Sequence, residues 1–129
     1  MKRILFLDDC PARQKWAKEN FDIPGNYFAY ASTAAEAIEW IGWGEPEGFF
    51  DDVYLGHDLG GEVYVDSLRN DCGMEVVRWI VENKPKLGRI VVHTMNVIAG
   101  IAMCRSLKLA GYDAARQPFN QLTRELHSD

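Results

Sequence analysis

Three short polar clusters punctuate otherwise apolar runs in this chain: Asp8-Asp9, His57-Asp58, and His93-Thr94 with Asn96 close behind. Carboxylates beside imidazoles can move protons near neutral pH. An imidazole with an ordinary pKa of ~6.5 takes either form there, and a nearby carboxylate fixes its tautomer. The same carboxylates are hard oxygen donors that suit Mg²⁺ or Mn²⁺. Each cluster also has a plainer use. An Asp that ends a strand commonly caps the next helix, and Asn96 fits the N-cap of a helix from Val97. A single His at a strand end is more often a hydrogen-bonded structural residue than a catalyst. Two His among carboxylates at one edge shift the balance toward function, because titratable groups clustered in clefts mark sites.

The elements that must position these residues alternate strand and helix. Arg3–Asp8 is an apolar run ending in acid, as in a strand buried on both faces. Pro11 fits the first turn of a helix running to about Asn20. Strand candidates follow at Tyr27–Ala31, Asp52–Gly56, Arg89–His93 and near Asp113–Arg116. Thr33 and Glu36 form a capping box for a helix whose apolar face is Ala34, Ala37, Ile38 and Ile41. Met74, Val77, Ile80 and Val81 line the next helix, stopped by Pro85. Val97, Ile101, Cys104 and Leu107 line another, with Gly111 as its C′ residue. A last helix spans about Phe119–His127.

Five such units in 129 residues predict one α/β domain, residues 1–129. Its architecture is a doubly wound five-stranded parallel sheet with helices on both faces and a β1/β3 switch point. Ligands of such sheets bind outside the carboxyl ends of the strands, where all three clusters fall. The loop from about His57 to Cys72 exceeds the ~2–6 residues usual for a βα connection and joins the expected site. Arg13, in a first helical turn, opposes the helix dipole; this points to a nearby anion or to simple solvation. Trp40, Trp43 and Trp79 are expected to pack, and the pair Gly60-Gly61 matches neither a Walker nor a dinucleotide fingerprint.

Composition removes several classes. The net charge of −5 argues against wrapping long duplex nucleic acid, which needs a basic face. No segment approaches the ~20 apolar residues of a membrane span. The run after Met1-Lys2-Arg3 stops at Asp8, too early for a signal peptide. Three Cys without CxxC spacing give no zinc site or disulfide framework, and a reducing cytoplasm is the expected location.

With Gln117-Pro118-Phe119 near the end, the pattern resembles response-regulator receiver domains. There, Asp8-Asp9 fall on the Mg²⁺-binding acidic pair and Gln117-Pro118-Phe119 on the Lys-Pro-Phe turn. The phosphoacceptor position reads Gly56 or His57, depending on register, and the Lys position is Gln117. Two features of phosphoryl signalling are therefore missing. The chain resembles more closely a receiver-like family described as cyclic-phosphate-processing. That family carries Leu-Asp-Asp, Asp-His-Asp-Leu-Gly and His-Ser/Thr-x-Asn after strands one, three and four. Here these read Leu7-Asp8-Asp9, Gly56-His57-Asp58-Leu59-Gly60 and His93-Thr94-Met95-Asn96, so Gly56 replaces one carboxylate.

The resemblance implies a phosphodiesterase that opens a cyclic phosphate, either an RNA-end 2′,3′-cyclic phosphate or a cyclic nucleotide or oligonucleotide signal. RNA repair and biological conflict are the implied settings. Ring opening needs a base and an acid; His57 and His93 would supply them, with Asp58, Asp8 or Asp9 orienting one imidazole. Asp9, Arg13, Thr94 and Asn96 would bind the substrate, the phosphate meeting the helix start after Asn96. Asp8 and Asp9 would hold a divalent metal, Mg²⁺ or Mn²⁺, in a metal-assisted version; the other version uses no cofactor. The alternative class is a non-catalytic module that sequesters a cyclic nucleotide, or a degenerate receiver acting through protein contacts, including a homodimer.

Overall fold

The computed structural model describes residues 1–44, 48–59 and 65–127. Gly60, Gly61 and the side chain of His127 lie outside the described residues. Elements follow the order β1 (Lys2–Leu7), α1 (Pro11–Phe21), β2 (Asn26–Ala31), α2 (Ala34–Trp43), β3 (Asp52–Leu55), α3 (Gly73–Asn83), β4 (Arg89–Val92), α4 (Val97–Leu109), β5 (Ala114–Arg116) and α5 (Phe119–His127). The five strands form one parallel sheet in the order β2-β1-β3-β4-β5. The switch point therefore lies between β1 and β3.

Alternation along the strands sorts the core. Leu5, Leu7, Val53, Leu55, Ile90 and Val92 pack with α2, α3 and α4, whereas Ile4, Phe6, Tyr54 and Val91 pack with α1 and α5 through Ala17, Phe21 and Leu122. Helix starts are fixed locally. The Thr33 hydroxyl accepts the Glu36 amide at 3.1 Å, and the Asn96 side chain accepts the Ala99 amide at 3.2 Å. Gly111 takes φ of 96° just after α4, where a left-handed residue lets the chain leave the helix. The end of α3 is set at Lys84, with φ of 53°, one residue before Pro85.

Two expectations need correction. The buried face of α4 is Ala99, Gly100, Met103, Cys104 and Leu107; Val97 and Ile101 stand about half exposed. Helix α4 is apolar nearly all round, so spacing could not choose its inner face. The sheet selects the small residues: a Cβ on Gly100 would already lie 3.1 Å from Arg116 Nε and from Thr94 Cγ2. Trp40 and Trp79 pack against the core, but Trp43 is largely exposed at the end of α2.

Candidate functional site

The strand register builds the site. Leu7 pairs with Leu55, Leu55 with Val92, and Val92 with Arg116. Asp8, Gly56, His93 and Gln117 therefore follow in one row along the carboxyl edge. The Gly56 amide donates to the Leu7 carbonyl at 2.9 Å, that of His93 to Leu55 at 3.0 Å, and that of Gln117 to Val92 at 2.9 Å. The register decides that Gly56, and not His57, stands beside Asp8. Asp8 and His93 meet on the α1/α5 side, where His93 stacks on Phe6 (centroids 4.7 Å apart) and meets the edge of Phe119. His57, one residue past Gly56, instead meets the β3–α3 loop.

Each imidazole has its own carboxylate. His93 Nε2 lies 2.9 Å from Asp8 Oδ2 and is buried. An ionised carboxylate only accepts, so Nε2 carries the proton that binds it. His93 Nδ1 is buried and finds no partner among the described residues. The same Oδ2 accepts Arg13 Nε at 2.7 Å, and Oδ1 accepts the Cys10 amide at 2.9 Å. Burial pushes the Asp8 carboxyl up, but His93, Arg13 and the Cys10 amide outweigh it and hold the pKa below the usual value. Asp8 is thus an anion shared by two cationic or polarised donors. Arg13 is thus paired with Asp8 and not simply solvated.

His57 Nδ1 lies 2.8 Å from Asp58 Oδ1, and its Nε2 lies 2.9 Å from the Ser67 hydroxyl. Its side chain is 0% exposed. Asp58 Oδ1 also accepts the Val65 amide at 2.9 Å and Asn96 Nδ2 at 3.3 Å. Two separate Asp–His pairs, His57–Asp58 and His93–Asp8, therefore stand where the sequence expected one imidazole oriented by Asp58, Asp8 or Asp9.

A cleft of about 370 Å³ opens at this edge, lined by residues of both pairs together with Asp9, Cys10, Arg13, Gly56 and Thr94. Of the expected substrate-binding residues, Asp9, Arg13 and Thr94 line it. Asn96 does not: it caps α4 and ties Asp58 in place. Thr94 is buried, and its hydroxyl accepts the Asn96 amide at 3.1 Å. The expected metal pair has a donor set that does not fit a resident divalent ion. Asp8 has both oxygens engaged, Gly56 adds no carboxylate, and among the described residues no three His, Cys, Asp or Glu side chains are disposed to hold a metal. Ser67 escaped the sequence reading. It belongs to no motif and lies ten residues beyond His57, so only the folded loop reveals the contact.

Residues 3–109 match the profile of the cyclic-phosphate processing receiver domain. The chain belongs to that family. Among solved structures it is similar to a sensor protein from Polaromonas sp. JS666, at 18% identity and a TM-score of 0.64, over 98% of this chain and 93% of that one. It is also similar to the response regulator TrrA from Thermotoga maritima, solved with Mg²⁺ and BeF, at 23% identity and a TM-score of 0.61, over 98% and 96%. A CheY-like receiver domain from Methanospirillum hungatei matches at 20% identity and a TM-score of 0.58, over 98% and 94%. These likenesses carry the receiver fold. No curated protein matches the chain significantly. Within this cyclic-phosphate processing receiver, the strand-end residue beside Asp8 is Gly56, and no helix among the described residues is long and apolar enough to cross a membrane.

Proposed function

We propose that this receiver domain is a phosphodiesterase that hydrolyses a cyclic phosphate, with His57 and His93 as its acid–base pair. One observation carries the reading: His57 and His93, each with its imidazole fixed through one nitrogen by its own aspartate, stand together at a single cleft at the ligand edge of the sheet. The Nδ1–H of His57 binds Asp58, which leaves the Nε2 lone pair to act as the base. His93, held on Asp8 through Nε2, is the acid that protonates the departing ring oxygen through Nδ1. Arg13 and Thr94 border the space where phosphate oxygens would sit. The substrate class is a 2′,3′-cyclic phosphate at an RNA end or a cyclic nucleotide; the negative net charge favours the smaller ligand.

Incubation with 2′,3′-cyclic mononucleotides, an RNA ending in 2′,3′-cyclic phosphate, 3′,5′-cyclic mononucleotides and cyclic dinucleotides, followed by chromatography, tests this. One class should be opened, with kcat lower by ~10²–10⁴-fold in His57→Ala and in His93→Ala. Every compound intact in the wild type, or unchanged rates in both variants, would sink the reading. The burial of His57, with both ring nitrogens engaged, favours a second reading in which the cleft sequesters the ligand uncut. Recovery of one panel member bound but intact would select it.

A further inference from the structure

The hydroxyl nearest the buried base belongs to the protein. Ser67 sits in the loop between β3 and α3, partly buried, with its backbone pinned. Its carbonyl accepts Arg78 Nη1 at 2.6 Å and lies 3.7 Å from the Cys72 thiol. Arg78 also binds the Arg69 carbonyl at 2.7 Å and is steadied by Glu75 at 2.8 Å. The Asp66 carboxylate closes the turn by accepting the Leu68 amide at 2.9 Å. From this fixed loop Ser67 Oγ reaches His57 Nε2 at 2.9 Å, while His57 Nδ1 reaches Asp58 at 2.8 Å.

The protons in this chain of contacts are assigned by chemistry. The Asp58 carboxylate accepts, so Nδ1 is the protonated nitrogen. Nε2 then offers a lone pair, and Ser67 O–H donates to it. A hydroxyl bonded to an imidazole, itself oriented by a carboxylate, is the arrangement that activates a nucleophilic serine. Accessibility separates Ser67 from water as the partner of that base: the His57 side chain is wholly buried, and Ser67 already occupies Nε2.

We propose that Ser67 is the nucleophile of this site, activated by the His57–Asp58 pair, so that cleavage proceeds through a covalent phosphoserine diester. The proposal rests on the phosphodiesterase reading only for the identity of the electrophile. The Ser67 oxygen forms a bond to phosphorus as its proton passes to His57 Nε2. The ring P–O bond breaks, and the leaving oxygen receives a proton from the acid of the site. Water then attacks phosphorus and gives up a proton to the site, and Ser67 departs as the hydroxyl, leaving an opened phosphomonoester.

Treating the full folded chain with a fluorophosphonate probe, and mapping the adduct by tandem mass spectrometry, tests the nucleophile without any substrate. The expected result is one adduct on Ser67, absent from urea-unfolded protein and formed on the order of 10²-fold more slowly in Asp58→Asn. A wild-type protein whose Ser67 remains unmodified overturns the proposal; so does a Ser67→Ala protein that keeps wild-type turnover of a panel substrate. If the panel comes back intact while Ser67 is labelled, the substrate reading fails and the nucleophile stands.

Discussion

Asp8→Asn removes one negative charge while keeping nearly the same shape, and the structure sets what should follow. Oδ2 of Asp8 holds Arg13 at 2.7 Å and His93 at 2.9 Å. The Arg13 side chain is 34% exposed and the His93 side chain 1% exposed. Breaking a fully buried ion pair costs ~3–5 kcal/mol, but a third-exposed guanidinium can turn to water, which lowers its share. A loss of about 2–4 kcal/mol follows at pH 7. For a chain of this length each kcal/mol moves Tm by roughly 3–5 °C, so Tm should fall by about 6–20 °C. Ordinary domains hold ~5–15 kcal/mol, so the variant stays folded at 25 °C and measurable.

The pH dependence supplies the sharper check. The folded-state pKa of Asp8 lies below its usual carboxylate value. The unfolded chain therefore binds that proton first on acidification. The contribution of Asp8 is full above the unfolded pKa of ~3.9 and is lost as pH falls through the folded value. Asp51 and Asp71, also lowered by their Arg partners, are present in both proteins and cancel. Urea denaturation from pH 7 down to pH 3 should show the gap between wild type and Asp8→Asn narrowing toward acid. A gap that is constant or widens would refute the idea that an ionised Asp8 holds this edge together.

Other perturbations probe the same edge. In Gly73→Ala the new Cβ would lie 1.8 Å from the Gly56 carbonyl oxygen, a backbone atom that cannot swing aside. Denaturant melts should show a loss of ~3 kcal/mol or more. Asn96→Ala removes the cap of α4 and the tie to Asp58, so it should cost about 1 kcal/mol and slow turnover through Asp58; an unchanged kcat would separate Asn96 from the site. Gly56→Asp, which restores a receiver-like acid, should lower stability by ~1–3 kcal/mol and should not be phosphorylated by acetyl phosphate, as read by mass spectrometry.

Much of the fold was legible because its signals are local. The apolar runs of β1 and β4, the Thr33 capping box and the left-handed Gly111 each depend on a few neighbouring residues. The three clusters were legible as members of one edge because strand ends in a parallel sheet share that edge. Their partnerships were not. Whether His57 or Gly56 lies beside Asp8 turns on a single residue of register, and one residue reverses the side of the sheet to which a side chain points. Ser67 and Arg78 reach the site from the β3–α3 loop and α3, at separations from His57 that no helical or strand period marks. The inner face of α4 was hidden for the opposite reason, since apolar residues on every side leave no pattern to read.

Gly56 stands where the family motif carries an acid, against the contact between Asp8 and His93. A Cβ there would stand 3.0 Å from the Leu7 carbonyl, 3.4 Å from His93 Nε2 and 3.7 Å from Asp8 Oδ2. The space that a side chain at this position would enter is thus the space in which His93 and Asp8 meet. A carboxylate would crowd their contact and bring a second negative charge beside Asp8, which two like charges in a buried site resist. In this chain Gly56 leaves that space to the contact between His93 and Asp8.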